Sequence, residues 1–303
     1  MDLALAIDVG ATKVAVAVVD DAGRVRDRAT MQTARPVIEA DGPVPAETGD
    51  QLFARLAALL DDYRPFDRFA CCGIGSAGPM TGGGEAISPL NIPAFRSYPL
   101  AERVRALTGL PCRLDNDAKA LALAEGWIGG AVGVSDYLAM VVSTGVGGGI
   151  VLQGRLLDGG SGNAGHIGQT IVRAPGRAIP SHVAGSLEAE ASGRAIAAHT
   201  GHPATEATTA VVAQTGVMVG QAAGSVANLL DLRLVLVAGS VALGFGEPFF
   251  AAAQAEMDRV CRLAFTLGAR IEPAGCGDDG PLVGAAAVGF RGLGRPVGSV
   301  IAG

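Results

Sequence analysis

Two short turns that contain glycine and threonine constrain the fold of this chain more than any other feature. The first, Gly-Ala-Thr at 10–12, joins the apolar runs 3–9 and 14–19. The second, Ser-Thr-Gly at 143–145, follows the apolar run 137–142 and precedes another β-like run. Such pairs of runs predict β-hairpins. One turn of this type in each half of the chain indicates a weak internal duplication, as expected when two similar lobes clamp one nucleotide.

Length and charge exclude several classes of protein. The 303 residues suffice for two domains of ordinary size. With 23 Lys and Arg against 29 Asp and Glu, the net charge is −6. Nucleic acids and anionic membranes need a basic surface, so we predict a small-molecule partner and neither of these.

Cysteine spacing and the start of the chain predict the compartment. The five cysteines have no repeated spacing, which favours reduced thiols. The first residues lack the positive charge of a signal peptide, and no apolar run reaches the roughly 18–20 residues of a membrane span. We therefore predict a soluble cytoplasmic protein.

The residues around the first turn have the chemistry of a phosphate site. Asp8 ends a strand, Gly10 allows a sharp turn, and Thr12 and Lys13 present a hydroxyl and an ammonium. Backbone N–H groups, a hydroxyl and a cation can hold the terminal phosphates of a nucleotide, and a neighbouring carboxylate can hold Mg²⁺ through water. A plain hairpin with a capping aspartate has the same sequence, so these residues alone leave both interpretations open.

Asp117 lies at the centre of the stretch 113–130. The sequence predicts a strand at 111–114 and a helix of strong helix formers at 118–128. Carboxylates at strand ends of α/β folds face the ligand crevice. An aspartate here could equally be the N-cap of the helix, and the local sequence does not decide between a catalytic and a capping role.

The rest of the chain alternates strands and helices. Further strands are predicted at 24–30, 69–74, 234–237 and 269–272, and helices at 50–63, 98–108, 184–200, 211–231, 247–267 and 281–293. Residues 35–48 read as a Pro-rich loop. An irregular loop at 82–95 carries Gly82 to Gly84 and Asn91, and a loop of that length inside a compact domain is more often functional than idle.

Eight ordered segments resemble the ROK family of sugar kinases. They are DVGATK, GIGSAG, PLNIP, LDNDAKALALAE, VSTGVGGGIVLQGRL, GNAGHIGQ, SLEAEASGRAI and VAGSV, and they span almost the whole chain. The resemblance implies an α/β, two-lobed actin/hexokinase-like (ribonuclease H-like) ATPase fold, with a small lobe of 1–117 plus 283–303 and a large lobe of 118–282. It also implies a homodimer and ATP-dependent phosphorylation of a hexose-like sugar, usually at the 6-hydroxyl.

The resemblance also implies the site residues. The first phosphate loop is Asp8, Gly10, Thr12 and Lys13, with Mg²⁺ held at Asp8 through water. The second loop is Thr144, Gly145 and Gly147, and the turn near the adenosine is Gly239 and Ser240. Asp117 is the catalytic base, and the sugar-binding set is Gly75, Asn91, Asn116, Asp117, His166 and Glu188.

The chain departs from the family at its zinc site. The four zinc positions of the family fall on Gln169, Ile179, Ser181 and Ser186. Isoleucine has no donor atom and neutral Gln and Ser are poor Zn²⁺ ligands, so we predict no structural zinc. The neighbouring His182 is interpreted as a surface-loop histidine, and Glu190 as a solvated charge.

A second departure concerns the sugar. His166 stands where most members have a glutamate, in a GHIG form that resembles bacterial N-acetylmannosamine kinases, and Ala11 replaces the usual glycine. A histidine can donate or accept a hydrogen bond, whereas a carboxylate only accepts. The expected substrate is therefore a glucose-like hexose or an amino sugar, with kanosamine and N-acetylmannosamine as the first candidates.

Two rival functions come from other classes. Sugar-responsive repressors of the family carry a winged helix-turn-helix before the first strand, whereas here the first strand starts at residue 3. A catalytically inactive sugar sensor would explain the altered zinc site. Retention of Asp8, Asp117 and both glycine turns favours the kinase.

Overall fold

The computed structural model describes residues 1–33, 47–89, 91–180, 182–298 and 300, together with the backbone of 38–39 and 42–43. The loop predicted at 35–48 lies mostly outside the described residues. The strands are β1 Leu3–Val9, β2 Lys13–Asp20, β3 Val25–Gln32, β4 Ile38–Glu39, β5 Gly42–Pro43, β6 Cys71–Ser76, β7 Cys112–Asn116, β8 Tyr137–Val142, β9 Val146–Leu152, β10 Arg155–Leu156, β11 Leu234–Ala238 and β12 Arg270–Pro273. The α-helices are α1 Gly49–Asp61, α2 Leu100–Thr108, α3 Asp117–Trp127, α4 Leu187–Ala191, α5 Gly193–Thr200, α6 Thr209–Leu230, α7 Ser240–Phe245, α8 Glu247–Val260 and α9 Gly280–Gly292.

The described chain divides into two compact units. Unit 1 contains Met1–Trp127, Asp158–Ala164 and Asp278–Gly303, and unit 2 contains Ile128–Leu157 and Gly165–Gly277. The lobe boundaries expected from the sequence, after 117 and before 283, stay a prediction.

Unit 1 is built on a five-stranded sheet in the order β3-β2-β1-β6-β7. Strands β1 to β3, each predicted from the sequence, form an antiparallel meander, whereas β6 and β7 run parallel to β1. Almost every residue of β1 and β2 is buried, as their continuous apolar sequence requires. Helix α9 packs on β1, β6 and β7 and also on α3. The start of α3 is thereby fixed beside the carboxyl ends of the parallel strands.

Unit 2 repeats this topology with the strand order β10-β9-β8-β11-β12. Again an antiparallel hairpin is followed by two parallel strands. This repetition confirms the internal duplication that the two glycine turns predict. The turn at 10–12 and the turn at 143–145 occupy equivalent places in the two sheets.

Helix α6 is the apolar centre of the helical layer of unit 2. This helix of 22 residues is long and apolar enough to cross a membrane, judged by length and composition alone. However, half of its most apolar stretch of 18 residues is buried within the fold. It packs closely on α8, since a Cβ added at Gly220 would lie 2.2 Å from the carbonyl oxygen of Ala253. Helix α6 is therefore packed against α8 within unit 2.

Two of the predicted helices have the wrong extent, and one short helix was not predicted. The helix expected at 184–200 is interrupted at Ser192, which is extended (ψ 158°) and caps α5 by accepting a hydrogen bond from Ala195 N. The helix expected at 247–267 ends at Val260. The turn predicted at Gly239 and Ser240 leads directly into the short helix α7, Ser240–Phe245, which was not predicted from the sequence.

Two helical glycines should respond oppositely to alanine. Gly220→Ala places a Cβ against the Ala253 backbone, and we expect this overpacking to destabilise the protein by about 1–3 kcal/mol. Gly244→Ala meets no atom within 4 Å, and we expect a gain of about 0.5–1 kcal/mol from helix propensity. Urea unfolding of both variants measures the two changes, and equal effects would contradict the packing described for α6 and α8.

Candidate active site

In unit 1, three parallel strands end at the same edge of the sheet. The register places Asp8 of β1 opposite Gly75 of β6, and Ser76 opposite Asn116 of β7. A Cβ added at Gly75 would lie 3.8 Å from Asp8 Oδ1, so the glycine borders the carboxylate directly. Strand pairing therefore brings Asp8, Gly75 and Asn116 together, as the sequence predicts for a ligand-binding edge.

The first glycine turn is held by its own backbone and by one side chain that sequence reasoning missed. Gly10 N donates a hydrogen bond to the Lys13 carbonyl (3.0 Å). Thr33 Oγ1 donates to the Gly10 carbonyl (2.8 Å), and Thr33 N donates to the Thr12 carbonyl (3.0 Å). Thr12 and Lys13 are exposed. The turn is thus fixed from behind while its hydroxyl and ammonium remain accessible to a ligand.

Asp8 carries an unfavourable charge. Burial and the negative charge of Asp117 raise its pKa from 3.8 to about 7, and Lys13 opposes the shift. Two neighbouring carboxyl groups of this kind form a donor set that suits a hard divalent cation such as Mg²⁺. Asp8 would hold that ion through water, and the ion would supply positive charge to neutralise phosphate oxygens.

The structure separates the two roles that the sequence left open for Asp117. Asn116 Oδ1 accepts hydrogen bonds from Ala118 N (3.0 Å) and Lys119 N (3.4 Å), so Asn116 caps α3. Asp117 is the first residue of the helix, and its Oδ1 accepts from Ala118 N (2.8 Å). A carboxylate in this first turn is favoured by the helix dipole. Asp117 therefore need not serve as the N-cap.

A buried ion-pair network supports the start of α3. Lys119 Nζ lies 2.8 Å from Asp115 Oδ1 and 2.7 Å from Asp158 Oδ1, and its side chain is 1% exposed. Arg291 of α9 lies 2.8 Å from Asp158 Oδ2. Sequence reasoning missed this network, although a lysine one turn after a strand-end aspartate is a signal for it. It fixes the helix whose first residue is Asp117.

The loop that follows β6 contains Asn91, which is half-buried. Asn163, from the GNAGHIGQ segment, donates to the Met80 carbonyl (2.8 Å) and accepts from Met80 N (3.1 Å). This side chain ties residues 158–164 to the loop within unit 1. The contact of Asn91 with a sugar stays a prediction.

In unit 2, the second glycine turn adjoins the turn that precedes α7. Ser143 N donates to the Gly145 carbonyl, and the hydroxyls of Ser143 and Ser240 are 2.9 Å apart. Gly239 has a φ of 101°, and a Cβ there would lie 2.4 Å from the Val142 carbonyl oxygen. Only glycine fits this position. Within unit 2, the turn at 143–145 and the turn at 239–240, both predicted to contact the nucleotide, are therefore neighbours.

The remaining nucleotide candidates of unit 2 lie in the turn before β9 and on β9 itself, and the sugar candidate His166 lies in the segment that follows β10. Thr144 is exposed, and Gly147 pairs with Val141 across the hairpin. His166 is exposed, and its carbonyl accepts from Gln169 N (3.0 Å). These positions leave the Thr144 hydroxyl and the His166 ring accessible to ligands.

Glu188 of α4 lies against the second glycine turn. A Cβ added at Gly145 would lie 3.0 Å from Glu188 Oε1, and one added at Gly168 would lie 2.9 Å from Oε2. His182 Nε2 is 2.8 Å from Glu188 Oε1. The interpretation of His182 as a surface-loop residue is wrong, because its side chain is 1% exposed.

The interpretation of Glu190 as a solvated charge is also wrong. Its side chain is fully buried and accepts hydrogen bonds from Arg177 N (2.5 Å) and Arg177 Nε (2.7 Å). Arg173 lies 3.4 Å away. A buried carboxylate requires such partners. Two arginines four residues apart, shortly before an acidic helix, were the available signal.

The four positions of the family zinc site have other environments here. Gln169 is exposed, Ile179 packs with Ala189 and Ala195, Ser186 caps α4, and Ser181 lies outside the described residues. Within the described part of the chain, no group of three or more His, Cys, Asp or Glu is arranged to hold a metal ion. The absence of a structural zinc stays a prediction.

Comparison with known proteins agrees with this architecture. An N-acetylmannosamine kinase of Yersinia pestis (strain Pestoides F) is 36% identical over 264 residues, which cover 81% of this chain and 86% of that protein. The ROK hexokinase of Thermus thermophilus superimposes with a TM-score of 0.80 at 28% identity, over 96% of this chain and 99% of that one. A ROK family glucokinase of Streptomyces griseus, solved with glucose and AMPPNP, gives a TM-score of 0.79 at 25% identity, over 95% and 99%.

The duplicated sheets and paired glycine turns define a class of α/β ATPases, and the predicted actin/hexokinase-like fold is confirmed. Residues 4–290 match the ROK family. The chain belongs to that family, which confirms the resemblance drawn from its eight motifs.

The raised pKa of Asp8 predicts a pH-dependent stability. The folded protein holds the proton of the Asp8 carboxyl group more tightly than the unfolded chain does. The contribution of protonated Asp8 to the free energy of unfolding is therefore complete below about pH 3.8 and is lost as the pH rises through about 7. Asp8→Asn removes the titration. In magnesium-free buffer at pH 8 we expect the variant to be more stable than the wild type by about 1–3 kcal/mol. This range allows for the partial exposure of Asp8 to solvent, which weakens the penalty on its charge.

Urea unfolding between pH 4 and pH 8 measures this difference. Asp62→Asn, at an exposed helix end, is the matched control and should follow the wild type. An Asp8→Asn variant that is less stable than the wild type at pH 8 would contradict the charge repulsion between Asp8 and Asp117.

Proposed function

We propose that this protein is an ATP-dependent sugar kinase. It transfers the γ-phosphoryl group to a hydroxyl, the 6-hydroxyl, of a glucose-like hexose or an amino sugar. The observation that carries the proposal is the electrostatic coupling of Asp8 and Asp117 at the strand ends of unit 1, beside an accessible turn with a hydroxyl and an ammonium. The sugar-kinase names of its relatives support the same reaction class.

Asp117 is the proposed general base. A sugar hydroxyl has a pKa far above 7, so its attack needs a carboxylate to accept the proton. Asn116 supplies the cap of α3, and the Lys119 network holds the helix start in place. Asp117 is therefore presented on a rigid element, as a catalytic group requires.

The nucleotide is assigned to turns of both units. In unit 1, Gly10, Thr12 and Lys13 would bind the terminal phosphates, and Asp8 would hold Mg²⁺ through water. In unit 2, Thr144, Gly145 and Gly147 form the second phosphate turn, and Gly239 and Ser240 border the adenosine. Backbone N–H groups and hydroxyls in tight turns are suited to phosphate oxygens.

The sugar is assigned to Gly75, Asn91, Asn116, His166 and Glu188, together with Asp117. His166 can both donate and accept, so it can serve an acyl or amino substituent as well as a hydroxyl. N-acetylmannosamine is the first substrate to test, since a relative at 36% identity bears that name. Kanosamine and glucose are the next. The protein is further proposed to act in the cytoplasm as a homodimer.

Sugar-dependent release of ADP tests this function. In a coupled assay with MgATP over N-acetylmannosamine, kanosamine and glucose, we expect turnover with at least one sugar. Asp117→Asn should lose roughly 10²–10⁴-fold in kcat, the usual contribution of a general base. Asp62→Asn, at the exposed end of α1 and outside the Lys119 network, is the control for loss of one carboxylate and should keep the wild-type kcat.

The outcomes separate the two parts of the proposal. No sugar-dependent ADP release by the wild type would overturn the kinase assignment, and binding of a sugar without turnover would favour the inactive sensor. Unchanged turnover in Asp117→Asn would overturn the choice of base.

We also propose that unit 2, which contains the four positions of the family zinc site, folds without zinc. The purified protein is expected to contain less than about 0.1 zinc per chain, because the family positions lack thiolate or imidazole ligands. Elemental analysis measures the content, and thermal melting before and after EDTA measures any dependence. Stoichiometric zinc, or a lower melting temperature after EDTA, would contradict the proposal.

A further inference from the structure

We propose that His182 is a positioning residue that fixes the Glu188 carboxylate and thereby sets the affinity for the sugar. The inference deepens the proposed function and rests on it, since Glu188 is there assigned to the sugar. It concerns a histidine that no motif of the chain assigns.

The contacts of His182 leave its ring little freedom. Nδ1 lies 2.9 Å from the Pro180 carbonyl oxygen, and Nε2 lies 2.8 Å from Glu188 Oε1. The ring is almost completely buried, whereas the Glu188 side chain retains 12% exposure. Because both ring nitrogens have hydrogen-bond partners, the buried imidazole connects Pro180 to the partly exposed carboxylate of Glu188 in one orientation.

The two partners of the ring define where the protons are. The Pro180 carbonyl can only accept, so Nδ1 carries a proton and donates it. Glu188 Oε1 is also an acceptor when ionised, so a proton lies between it and His182 Nε2. Either the Nε2–H group of the imidazole donates to an ionised carboxylate, or a protonated carboxyl group donates to Nε2. In both cases the hydrogen bond orients the Glu188 carboxyl group.

The opposite side of Glu188 is closed by glycines. A Cβ added at Gly145 would lie 3.0 Å from Oε1, and a Cβ added at Gly168 would lie 2.9 Å from Oε2. The carboxylate thus has backbone on two sides and His182 on a third. Without the imidazole, the flexible Glu188 side chain would lose its only described side-chain hydrogen-bond partner.

The loop that carries His182 is itself anchored to α4. The buried Glu190 holds Arg177 through both its backbone N–H and its Nε. Gly185 N donates to the Arg177 carbonyl (2.9 Å), and Ile179 packs on Ala189. Glu190 therefore anchors the loop to α4, and the anchored loop holds His182 against Glu188 of the same helix. A positioning role follows from this closed set of contacts.

Sugar kinetics of three variants test the role. For His182→Ala we expect the KM for the sugar to rise roughly 10–100-fold, as for loss of one hydrogen bond to a charged group. The kcat should change less than about threefold and the KM for ATP should not change, because only sugar binding is affected. His182→Gln should recover most of the sugar KM, since its amide N–H can donate to Glu188.

His202→Ala is the matched control. His202 also faces a glutamate, Glu206, at 3.5 Å, but this pair is exposed on the same unit. We expect wild-type kinetics. An unchanged sugar KM in His182→Ala, or a glutamine variant no better than alanine, would overturn the proposal.

A spectroscopic measurement separates this inference from the kinase assignment. The chain has four histidines, so the ring ¹⁵N signals of His182 can be assigned with the alanine variant. Glu188→Gln should shift both ring nitrogens of His182 and leave those of His202 unchanged, whether or not the protein phosphorylates a sugar. Absence of that shift would overturn the His182–Glu188 contact, whereas a wild type without sugar turnover would overturn only the kinase assignment on which the affinity role rests.

Discussion

The repulsion between the Asp8 and Asp117 carboxylates is the physical constraint on which this account depends. It arises because parallel pairing of β1, β6 and β7 ends three strands at one edge, and because α3 begins immediately after β7. Burial of Asp8, and after it the negative charge of Asp117, raises the pKa of Asp8 to about 7 and expresses the cost of placing both carboxylates at this edge. Proteins keep such costs mainly where function uses them. A divalent cation held beside Asp8 would offset the two negative charges.

Much of the fold and of the site could be predicted from local sequence. The meander of β1 to β3 follows from apolar runs and short turns, and the strand Tyr137–Val142 is found at its predicted bounds. The glycine at 239 is required by a left-handed φ beside the Val142 backbone. These features depend on neighbours in sequence, so the pattern of residue types suffices to indicate them.

The features that could not be predicted depend on partners distant in sequence. Glu190 looks like an ordinary surface charge until the loop brings Arg177 over it, and His182 looks like a loop residue until it reaches Glu188. Ser192 interrupts a helical pattern because its hydroxyl caps α5, a competition between local structures that propensity does not resolve. In each case the decisive contact is a side chain that satisfies a buried or terminal polar group.

The most direct test of the central claim is the identity of the product. The wild type is incubated with MgATP and N-acetylmannosamine, kanosamine or glucose, and the product is analysed by ³¹P–¹H correlation NMR. If Asp8 and Asp117 serve transfer to a sugar, a phosphomonoester signal that correlates with the two protons on C6 should accumulate in step with ADP. Formation of inorganic phosphate alone, with every sugar returned unchanged, would contradict the account.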